Sequence, residues 1–314
     1  MRVIHGIEKI DIKGPTVATI GIFDGVHKGH KKILRLLKNR SKALNMESCV
    51  ITFDPHPAKV IHPERMVPML ISTRHKLNLL AEEGIDHALL INFSKRFSSL
   101  SGKHFIRSIL VKRIHVRELY VGENFSFGKE KKTSIDELKE EAQFYSMTIH
   151  AVKQLKQNGQ VVSSTLIRSL ILEGRLRRAT ALLGRPVSIL GTVIRGSRRG
   201  RILGFPTANL DLHHEAIPPS GVYIVKVKLK EHVYDGILNI GFRPTFNASS
   251  QYKEATAEVH IFDFSDDIYN EELEVVFIKR IRSERRFSGS EPLLERIEKD
   301  VEIAKMYFAG KSKS

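Results

Sequence analysis

Hydrophobic and polar positions follow two different rhythms along the chain. In the first half, short apolar runs alternate with segments of helical spacing. The predicted strands are 16–22, 48–53, 87–93, 117–122 and 147–152, and the predicted helices are 30–44, 72–84, 102–114 and 134–145. Strands that alternate with helices predict a doubly wound parallel sheet. In such sheets, ligands bind beyond the carboxyl ends of the strands.

From about residue 185 the pattern changes to short runs rich in β-branched residues, with turn residues between them. These runs are PVSILGTVIR, VYIVKVKLK, HVYDGILNI, ATAEVHIF and LEVVFIKRIR. They predict an antiparallel β domain that forms a small closed barrel. Residues 290–308 have the spacing of a single amphipathic helix. We therefore predict two domains, 1–184 and 185–314, which join near residues 177–186.

The composition agrees with this picture. A chain of 314 residues suits two domains, and 41% hydrophobic with 27% charged residues is typical of soluble globular proteins. No apolar run approaches the roughly 20 residues that span a membrane. Cys49 is the sole cysteine, so an intrachain disulfide is impossible. These features make the cytoplasm the expected location.

The chain is strongly basic, with a formal net charge of +16. This excess of positive charge suits polyanions, and it does not distinguish nucleotides from nucleic acids. Aromatic residues make up only 7% of the chain and tryptophan is missing, so the sequence offers no evident stacking platform for RNA. We therefore expect no specific nucleic-acid partner.

The segment GIFDGVHKGH (21–30) lies between a predicted strand and a predicted helix. Helix N-termini bind phosphate through unpaired N–H groups and the helix dipole. Gly21, Gly25 and Gly29 would allow a ligand to approach the backbone. His27 and His30, three residues apart, share one helix face. Zinc is not favoured because further ligands are lacking, and the sequence contains no P-loop motif.

The segment resembles the H-x-G-H signature of the nucleotidyltransferase superfamily. Its longer form, F-D-G-V-H-x-G-H, is similar to that of the prokaryotic bifunctional riboflavin kinase/FAD synthetase family. Further stretches match that family in order, and they are FDPHP, GENFSFG, VSSTLIR, GFPTAN, PSGVY, NIGFRPTF and AEVHIFDF. The resemblance implies that the chain phosphorylates riboflavin to FMN and adenylylates FMN to FAD, with ATP as co-substrate and Mg²⁺ as cofactor.

The resemblance also implies roles for residues of the first domain. His27 and His30 would be catalytic and would steady the charge that develops on the triphosphate. The expected nucleotide-binding residues are Gly21, Phe23, Asp24, Asn124, Ser164, Thr165 and Arg168. Two residues have a second explanation. Ser163 is equally well explained as a helix N-cap. His56 is slightly better explained as a structural loop residue than as a contact to the flavin phosphate.

The second domain carries a glycine- and arginine-rich stretch, GTVIRGSRRGRILGFPTANL (191–210). Such a loop can wrap phosphates, although a solvated basic turn is the better interpretation for Arg198 and Arg199 alone. The resemblance implies nucleotide binding by Gly196, Gly204 and Pro206, magnesium ligation by Thr207 and Asn209, and a general-base role for Glu258. Without the resemblance, the strand period would make Glu258 an outward-facing residue.

Three positions depart from the family pattern. Glu130 and Thr133 stand where glycines are frequent, and Asn270 replaces a glycine in a turn. Two rival functions fit the sequence less well, because the barrel and the GFPTAN motif would have no purpose in the first and no stacking platform supports the second. One is a nucleotidyltransferase with a sugar-phosphate or pantetheine acceptor, and the other is a basic RNA-binding protein on an enzyme scaffold.

Overall fold

The structure is a computed structural model, and it describes residues 1–64, 68–128, 133–196, 200, 203–213, 215–243, 254–285 and 287–311. The chain divides into two compact units. The first contains Met1–Pro68 and Thr73–Leu166, and the second contains Met69–Ser72 and Ile167–Ser314. The predictions for Glu130, Arg198 and Arg199 fall outside the described residues.

The first unit is built on a six-stranded parallel sheet. Its strands are β1 (Arg2–His5), β2 (Thr16–Ile20), β3 (Glu47–Asp54), β4 (His87–Asn92), β5 (Val116–Gly122) and β6 (Thr148–Val152), in the spatial order β1-β4-β3-β2-β5-β6. The chain passes from β2 to β3 and β4 on one side, and β5 lies on the other side of β2. The strand order therefore reverses between β2 and β5, which is where doubly wound sheets bind ligands.

Helical segments connect these strands. They are a short 3₁₀ turn (Ile7–Lys9), α1 (Lys28–Ala43), α2 (Pro57–Ile61), α3 (Thr73–Glu82), α4 (Lys95–Ser98), α5 (Gly102–Phe105), a π-helix (Ile106–Val111) and α6 (Ile135–Gln143). Ser134 and Glu137 form a reciprocal capping box that starts α6. A two-stranded hairpin, β7 (Lys156–Gln157) and β8 (Gln160–Val161), follows β6.

The central strands are covered on both faces, as expected for a parallel sheet. All five residues of β2 are buried, as are the six residues between the ends of β3. Part of the core is a contiguous cluster that includes Ile20, Ile51 and Phe105. Because the middles of β2 and β3 are buried, a ligand can reach these strands only at their ends.

The second unit contains a closed antiparallel barrel. Its strands are β9 (Ser188–Ile194), β10 (Ala208–Asp211), β11 (Gly221–Leu229), β12 (His232–Arg243), β13 (Glu254–Ile261) and β14 (Glu272–Ser283), in the cyclic order β10-β13-β12-β11-β14-β9. Three helices, α7 (Ser164–Leu172), α8 (Leu176–Leu183) and α9 (Ser290–Lys311), complete the described elements, and α7 starts at the end of the first unit.

The final helix packs on the outside of the barrel. Val301 and Ala304 of α9 contact a buried cluster that includes Val222 and Ile224 of β11. Tyr223, on the alternate face of the same strand, is fully buried. The start of β11 is thus apolar on both faces, whereas Lys226 and Lys228 are exposed further along. This change from a continuous run to alternation is visible in the sequence.

The predicted fold class is confirmed, since the N-terminal parallel sheet, the small antiparallel barrel and the C-terminal helix are all present. Two strands of four residues, β1 and β10, were not predicted. The helix predicted over 102–114 is instead a short α-helix that continues as a π-helix. Asn270 has a φ of 65°, a left-handed conformation that asparagine tolerates better than most residues, so it can replace a glycine there.

Candidate active sites

The loop of residues 21–27 connects β2 to α1 at the point where the strand order reverses. Within it, Phe23, Gly25 and Val26 have φ angles of 54°, 86° and 38°. Left-handed backbone costs of order 1–3 kcal/mol at a non-glycine residue and is concentrated at functional sites. The side chains of Phe23 and Val26 are buried, so packing in the core holds the loop in this conformation.

His27 caps the helix that follows this loop. Its Nδ1 atom accepts a hydrogen bond from the backbone N–H of His30 over 3.3 Å. Because Nδ1 is the acceptor, the neutral ring carries its hydrogen on Nε2. The rings of His27 and His30 stack with centroids 3.6 Å apart and planes 15° apart. The two rings therefore form a stacked pair at the N-terminus of α1.

The glycines of the motif leave room for side chains of the loop itself. A Cβ atom at Gly29 would lie 3.0 Å from Cε1 and 3.1 Å from Nδ1 of His27. A Cβ atom at Gly21 would lie 3.2 Å from the ring of Phe23. Either distance is shorter than an ordinary van der Waals contact. The sequence predicts that these two glycines give a ligand access to the backbone. The structure adds a second reason for glycine, because a Cβ atom at either position would crowd the ring of His27 or Phe23.

Burial dominates the electrostatics of this loop. Burial, then His27, then Lys76 lower the pKa of His30 well below its ordinary value. Burial also lowers the pKa of Lys76 to about 8, against the attraction of Asp54 and Asp24. Near neutral pH, His30 is therefore uncharged and can offer an N–H group to a phosphate oxygen.

The segment at the start of α7 contacts the same loop. The hydroxyl of Ser164 donates a hydrogen bond to the backbone oxygen of Asp24 over 2.8 Å. Ser163 accepts one from the N–H of Leu166 over 3.3 Å, which is the helix-capping alternative that the sequence left open. Thr165 is exposed beside Ser164. Ser164 is thus brought to the loop, and Ser163 caps the helix.

Two further predicted nucleotide-binding residues lie at different places. Asn124 is exposed in the turn after β5, the strand that pairs with β2, so it follows the carboxyl end of a neighbouring strand. Arg168 lies one turn along α7 from Ser164, within the second compact unit. The contribution of Asn124 and Arg168 to nucleotide binding stays a prediction.

Two other sequence features find a structural explanation. The ring of His56 accepts a hydrogen bond at Nδ1 from the N–H of Ala58 over 3.0 Å and so caps α2. This geometry fits the structural alternative for His56. Thr133 exchanges two backbone hydrogen bonds with Phe127, which close the loop after the GENFSFG motif. Thr133, at a position where glycines are frequent in the family, therefore pairs its backbone with that of Phe127.

The barrel brings three polar residues together on neighbouring strands. Glu258 of β13 lies directly opposite Asn209 of β10 on one side and Asn239 of β12 on the other. Directly paired residues share a face and have Cβ atoms about 4.5–5.5 Å apart. Ala257 and Val259, on the alternate face, are buried in the core, while Glu258 is half-buried. Asn239 was missing from the predicted site, because only the pairing of β12 with β13 reveals it.

The glycine-rich stretch packs closely on this polar face. A Cβ atom at Gly196 would overlap the carboxamide of Asn209, and one at Gly200 would lie 3.0 Å from Oγ1 of Thr207. The N–H of Phe205 donates to the oxygen of Gly200 over 2.8 Å. Any larger residue at Gly196 or Gly200 would therefore collide with the Pro-Thr-x-Asn corner.

A histidine that the sequence did not single out anchors this corner. The Nδ1 atom of His260, two residues after Glu258, lies 2.7 Å from the backbone oxygen of Pro206. Because a carbonyl only accepts, Nδ1 carries the hydrogen of this bond. The ring also contacts Phe205 edge-on, with centroids 5.6 Å apart. Gly204 and Pro206 are exposed in the same corner, and His260 fixes the corner to the strand that carries Glu258.

The donor set of the corner fits a hard cation. Thr207 and Asn209 supply oxygen atoms, the type of ligand that Mg²⁺ prefers. Within the described ranges, no group of three or more His, Cys, Asp or Glu side chains is placed to hold a metal ion. No helix in the described part of the chain has the length and apolar character needed to cross a membrane.

Comparison with known proteins matches both halves of the chain. The family model described as FAD synthetase matches residues 9–166, and the one described as riboflavin kinase matches residues 183–308. Curated bifunctional riboflavin kinase/FMN adenylyltransferases are similar over nearly the whole length. The protein of Buchnera aphidicola is 37% identical over 98% of both chains, and that of Escherichia coli K12 is 36% identical over 98% of this chain and 97% of the relative.

A solved structure shares the whole fold. A crystal structure described as a macrolide-efflux protein from Streptococcus pneumoniae superposes with a TM-score of 0.82 at 30% identity, covering 96% of this chain and 98% of that one. The efflux description refers to that neighbour. What the two chains share is the parallel-sheet unit followed by the barrel.

The two matched family models, together with the parallel sheet and the closed β-barrel, define an ATP-dependent transferase. The chain belongs to the family of bifunctional riboflavin kinase/FMN adenylyltransferases. It phosphorylates riboflavin to FMN with ATP, and it adenylylates FMN to FAD with release of pyrophosphate. The acceptor of the nucleotidyl group is therefore FMN, and neither a sugar phosphate nor pantetheine.

Proposed function

We propose that each activity has its own site in its own domain. In this proposal, domain 1–184 adenylylates FMN at the 21–27 loop, and domain 185–314 phosphorylates riboflavin beside Glu258. The observation that carries it is the capped, stacked pair of His27 and His30 at the N-terminus of α1. A helix N-terminus with N–H donors is suited to a triphosphate.

For adenylyl transfer, a phosphate oxygen of FMN attacks the α-phosphorus of ATP, and the bond to the departing pyrophosphate breaks. The Nε2–H group of His27 and the ring of His30 would donate to phosphate oxygens as charge moves onto the pyrophosphate. Ser164 and Thr165 would bind the departing phosphates, and the guanidinium of Arg168 would bind them through two parallel hydrogen bonds. The remaining predicted contacts to the nucleotide are Gly21, Phe23, Asp24 and Asn124.

For riboflavin phosphorylation, the carboxylate of Glu258 would accept the proton of the 5′-hydroxyl, whose oxygen attacks the γ-phosphorus of ATP while the bond between that phosphorus and the oxygen of the departing ADP breaks. Gly196, Gly204 and Pro206 would contact the nucleotide phosphates. Thr207 and Asn209 would hold Mg²⁺, which when bound neutralises charge on the phosphates. Asn239, which pairs with Glu258 across the two strands, would donate a hydrogen bond to the carboxylate and keep it oriented.

The proposal includes the cytoplasm as the location, because both steps consume ATP. It is also supported by the net charge of +16, since FMN and ATP are anions while riboflavin is neutral.

The test is a pair of variants assayed for both steps with chromatography of the flavins. We expect His30→Ala to lose FMN adenylylation by about 100-fold or more while riboflavin phosphorylation continues. Glu258→Ala should lower the rate of riboflavin phosphorylation by about 100-fold or more and leave FMN adenylylation unchanged. If a folded preparation of either variant loses both steps together, the assignment of one site to each domain is wrong.

A further inference from the structure

Lys76 is a buried lysine in the first turn of α3, and neither the sequence motifs nor the proposed chemistry uses it. Its relative exposure is 5%, whereas lysine side chains are almost always solvated unless they are paired. In the sequence it follows Arg74 and His75 in an ordinary amphipathic helix, so it is indistinguishable from a surface residue. A buried ammonium group requires hydrogen-bond acceptors or an opposite charge nearby.

The ammonium group joins the ends of two parallel strands. Nζ donates to Oγ1 of Thr52 over 3.0 Å and to the backbone oxygen of Phe53 over 3.1 Å, both in β3. It also lies 3.4 Å from the backbone oxygen of Ile22, just beyond β2. The hydroxyl of Thr52 donates to that same oxygen over 3.1 Å. The three hydrogens of the ammonium thus have three acceptors.

These acceptors are next to the strained part of the 21–27 loop. Ile22 immediately precedes Phe23, whose φ of 54° starts the left-handed stretch that leads to His27. Holding the oxygen of Ile22 therefore fixes the direction in which the chain leaves β2. An apolar side chain of the same length would remove the ammonium's hydrogen bonds to Thr52 and Phe53 and leave the oxygen of Ile22 with the hydroxyl of Thr52 as its donor.

Charged and titratable groups surround Lys76 from three elements. Asp24 of the loop and Asp54 at the end of β3 attract the ammonium, and His30 of α1 is close enough for the ammonium to disfavour its protonation. Lys76 is therefore linked electrostatically to the histidine pair as well as through the backbone of the loop.

We propose that Lys76 is a positioning residue for FMN adenylylation: its ammonium holds the oxygen of Ile22 and the end of β3 so that the loop presents His27 and His30 to the triphosphate. The inference rests on the proposed assignment of this loop to the adenylylation step. It implies that the step needs Lys76 in its charged form.

The first test is the variant Lys76→Met, measured in steady-state kinetics of both activities on the full chain. We expect kcat for FMN adenylylation to fall by about 100-fold, because misplacing reacting groups by about 1 Å has an effect of that size. KM for ATP should change much less, and riboflavin phosphorylation serves as the internal control for folding. Lys42→Met, which removes an exposed lysine from the helix that carries His30, is the matched control and should leave both activities unchanged. Normal adenylylation by Lys76→Met would overturn the proposal.

The second test is a pH profile, which a merely structural lysine would not alter. With a pKa of about 8, Lys76 loses its charge as the pH rises, so adenylylation by the wild-type chain should decline above pH 8. In Lys76→Arg the side chain stays charged, and this decline should disappear. A wild-type rate that stays flat to pH 9.5, or a decline that persists unchanged in an active Lys76→Arg variant, would overturn the proposal. These readouts decide the question even if Lys76→Met does not fold.

His30→Ala in the same assays distinguishes a wrong assignment of the adenylylation site from a wrong role for Lys76. If it keeps FMN adenylylation, the proposed site is wrong. If it loses that step while Lys76→Met keeps it, the site stands and the role of Lys76 is refuted.

Discussion

Gly29 lies between two histidines whose rings stack, and the space that a side chain at Gly29 would enter adjoins the ring of His27. A Cβ atom there would lie 3.0 Å from the ring of His27, which is itself fixed by the hydrogen bond from the N–H of His30. The spacing of the H-x-G-H motif predicted that both histidines share a helix face. It did not reveal that Gly29 serves the ring of His27, because that contact depends on the side-chain rotamer at the helix cap.

At the residue scale, we predict that Gly29→Ala separates activity from stability. The added methyl group should displace the ring of His27 and slow FMN adenylylation by about 10- to 100-fold. Alanine is the better helix former by about 1 kcal/mol, so the melting temperature should stay the same or rise. Gly14→Ala is a suitable control, since nothing lies within 4 Å of a Cβ atom at Gly14. Unchanged adenylylation by Gly29→Ala would show that the stacked pair tolerates the displacement.

Strand β13 shows how an element assembles a site from distant parts of the chain. It places Glu258 between Asn209 of β10 and Asn239 of β12, and two residues later it places His260 against the oxygen of Pro206. The sequence of β13 reads as an alternating strand with an outward carboxylate. Only the pairing with β10 and β12 gives that carboxylate its polar neighbours.

At the element scale, we predict that His260→Ala loosens the Pro-Thr-x-Asn corner. The oxygen of Pro206 loses its donor, and Thr207 is no longer fixed against the strand that carries Glu258. Losing such a hydrogen bond corresponds to about 1 kcal/mol, so we expect KM for ATP in riboflavin phosphorylation to rise about 5-fold or more. His260→Asn, whose carboxamide can still donate, should recover part of the loss. Adenylylation measured on the same preparation should not change; a loss there would point to general unfolding.

The same scale shows what hydrophobic patterns predict well and poorly. Strands with five or more consecutive buried residues, such as β2 and β3, were predicted within one or two residues of their bounds. Strands β1 and β10 have four residues each and were missed, because so short a segment contains no period. The helix predicted over 102–114 contains a π-helix, where Ile106, Ile109 and Leu110 are buried in the core. That local change in winding has no signal in the residue pattern.

The whole molecule joins two compact units, each with its own fold and its own proposed chemistry. FMN is the product of one step and the substrate of the other. If each site is complete within its own domain, FMN made by one molecule can serve another once it has been released into solution. The join predicted at residues 184 and 185 stays a prediction; the matched family regions end at residue 166 and resume at residue 183.

At the molecular scale, we predict that two inactive variants complement each other when mixed. His30→Ala should stop at FMN and Glu258→Ala should leave riboflavin unchanged, so neither alone makes FAD from riboflavin. An equimolar mixture with ATP and Mg²⁺ should make FAD, after a lag while FMN accumulates. The measurement is a time course of the three flavins. A mixture that makes FMN but no FAD would show that the adenylylation site of Glu258→Ala is damaged, against the proposal.

The residue pattern predicts the two-part architecture, and the resemblance of its motifs to a known family predicts the chemistry of both halves. The period of apolar residues reports burial on one or two faces, and motifs such as GIFDGVHKGH and GFPTAN are contiguous, so both can be read without knowing which distant residues meet. The surroundings of groups whose partners lie far along the chain emerge only from the tertiary contacts. Lys76 is buried because α3 packs over the ends of β2 and β3, and Glu258 stands between Asn209 and Asn239 because of strand pairing. These contacts depend on how the elements are arranged in space, which a local pattern does not encode.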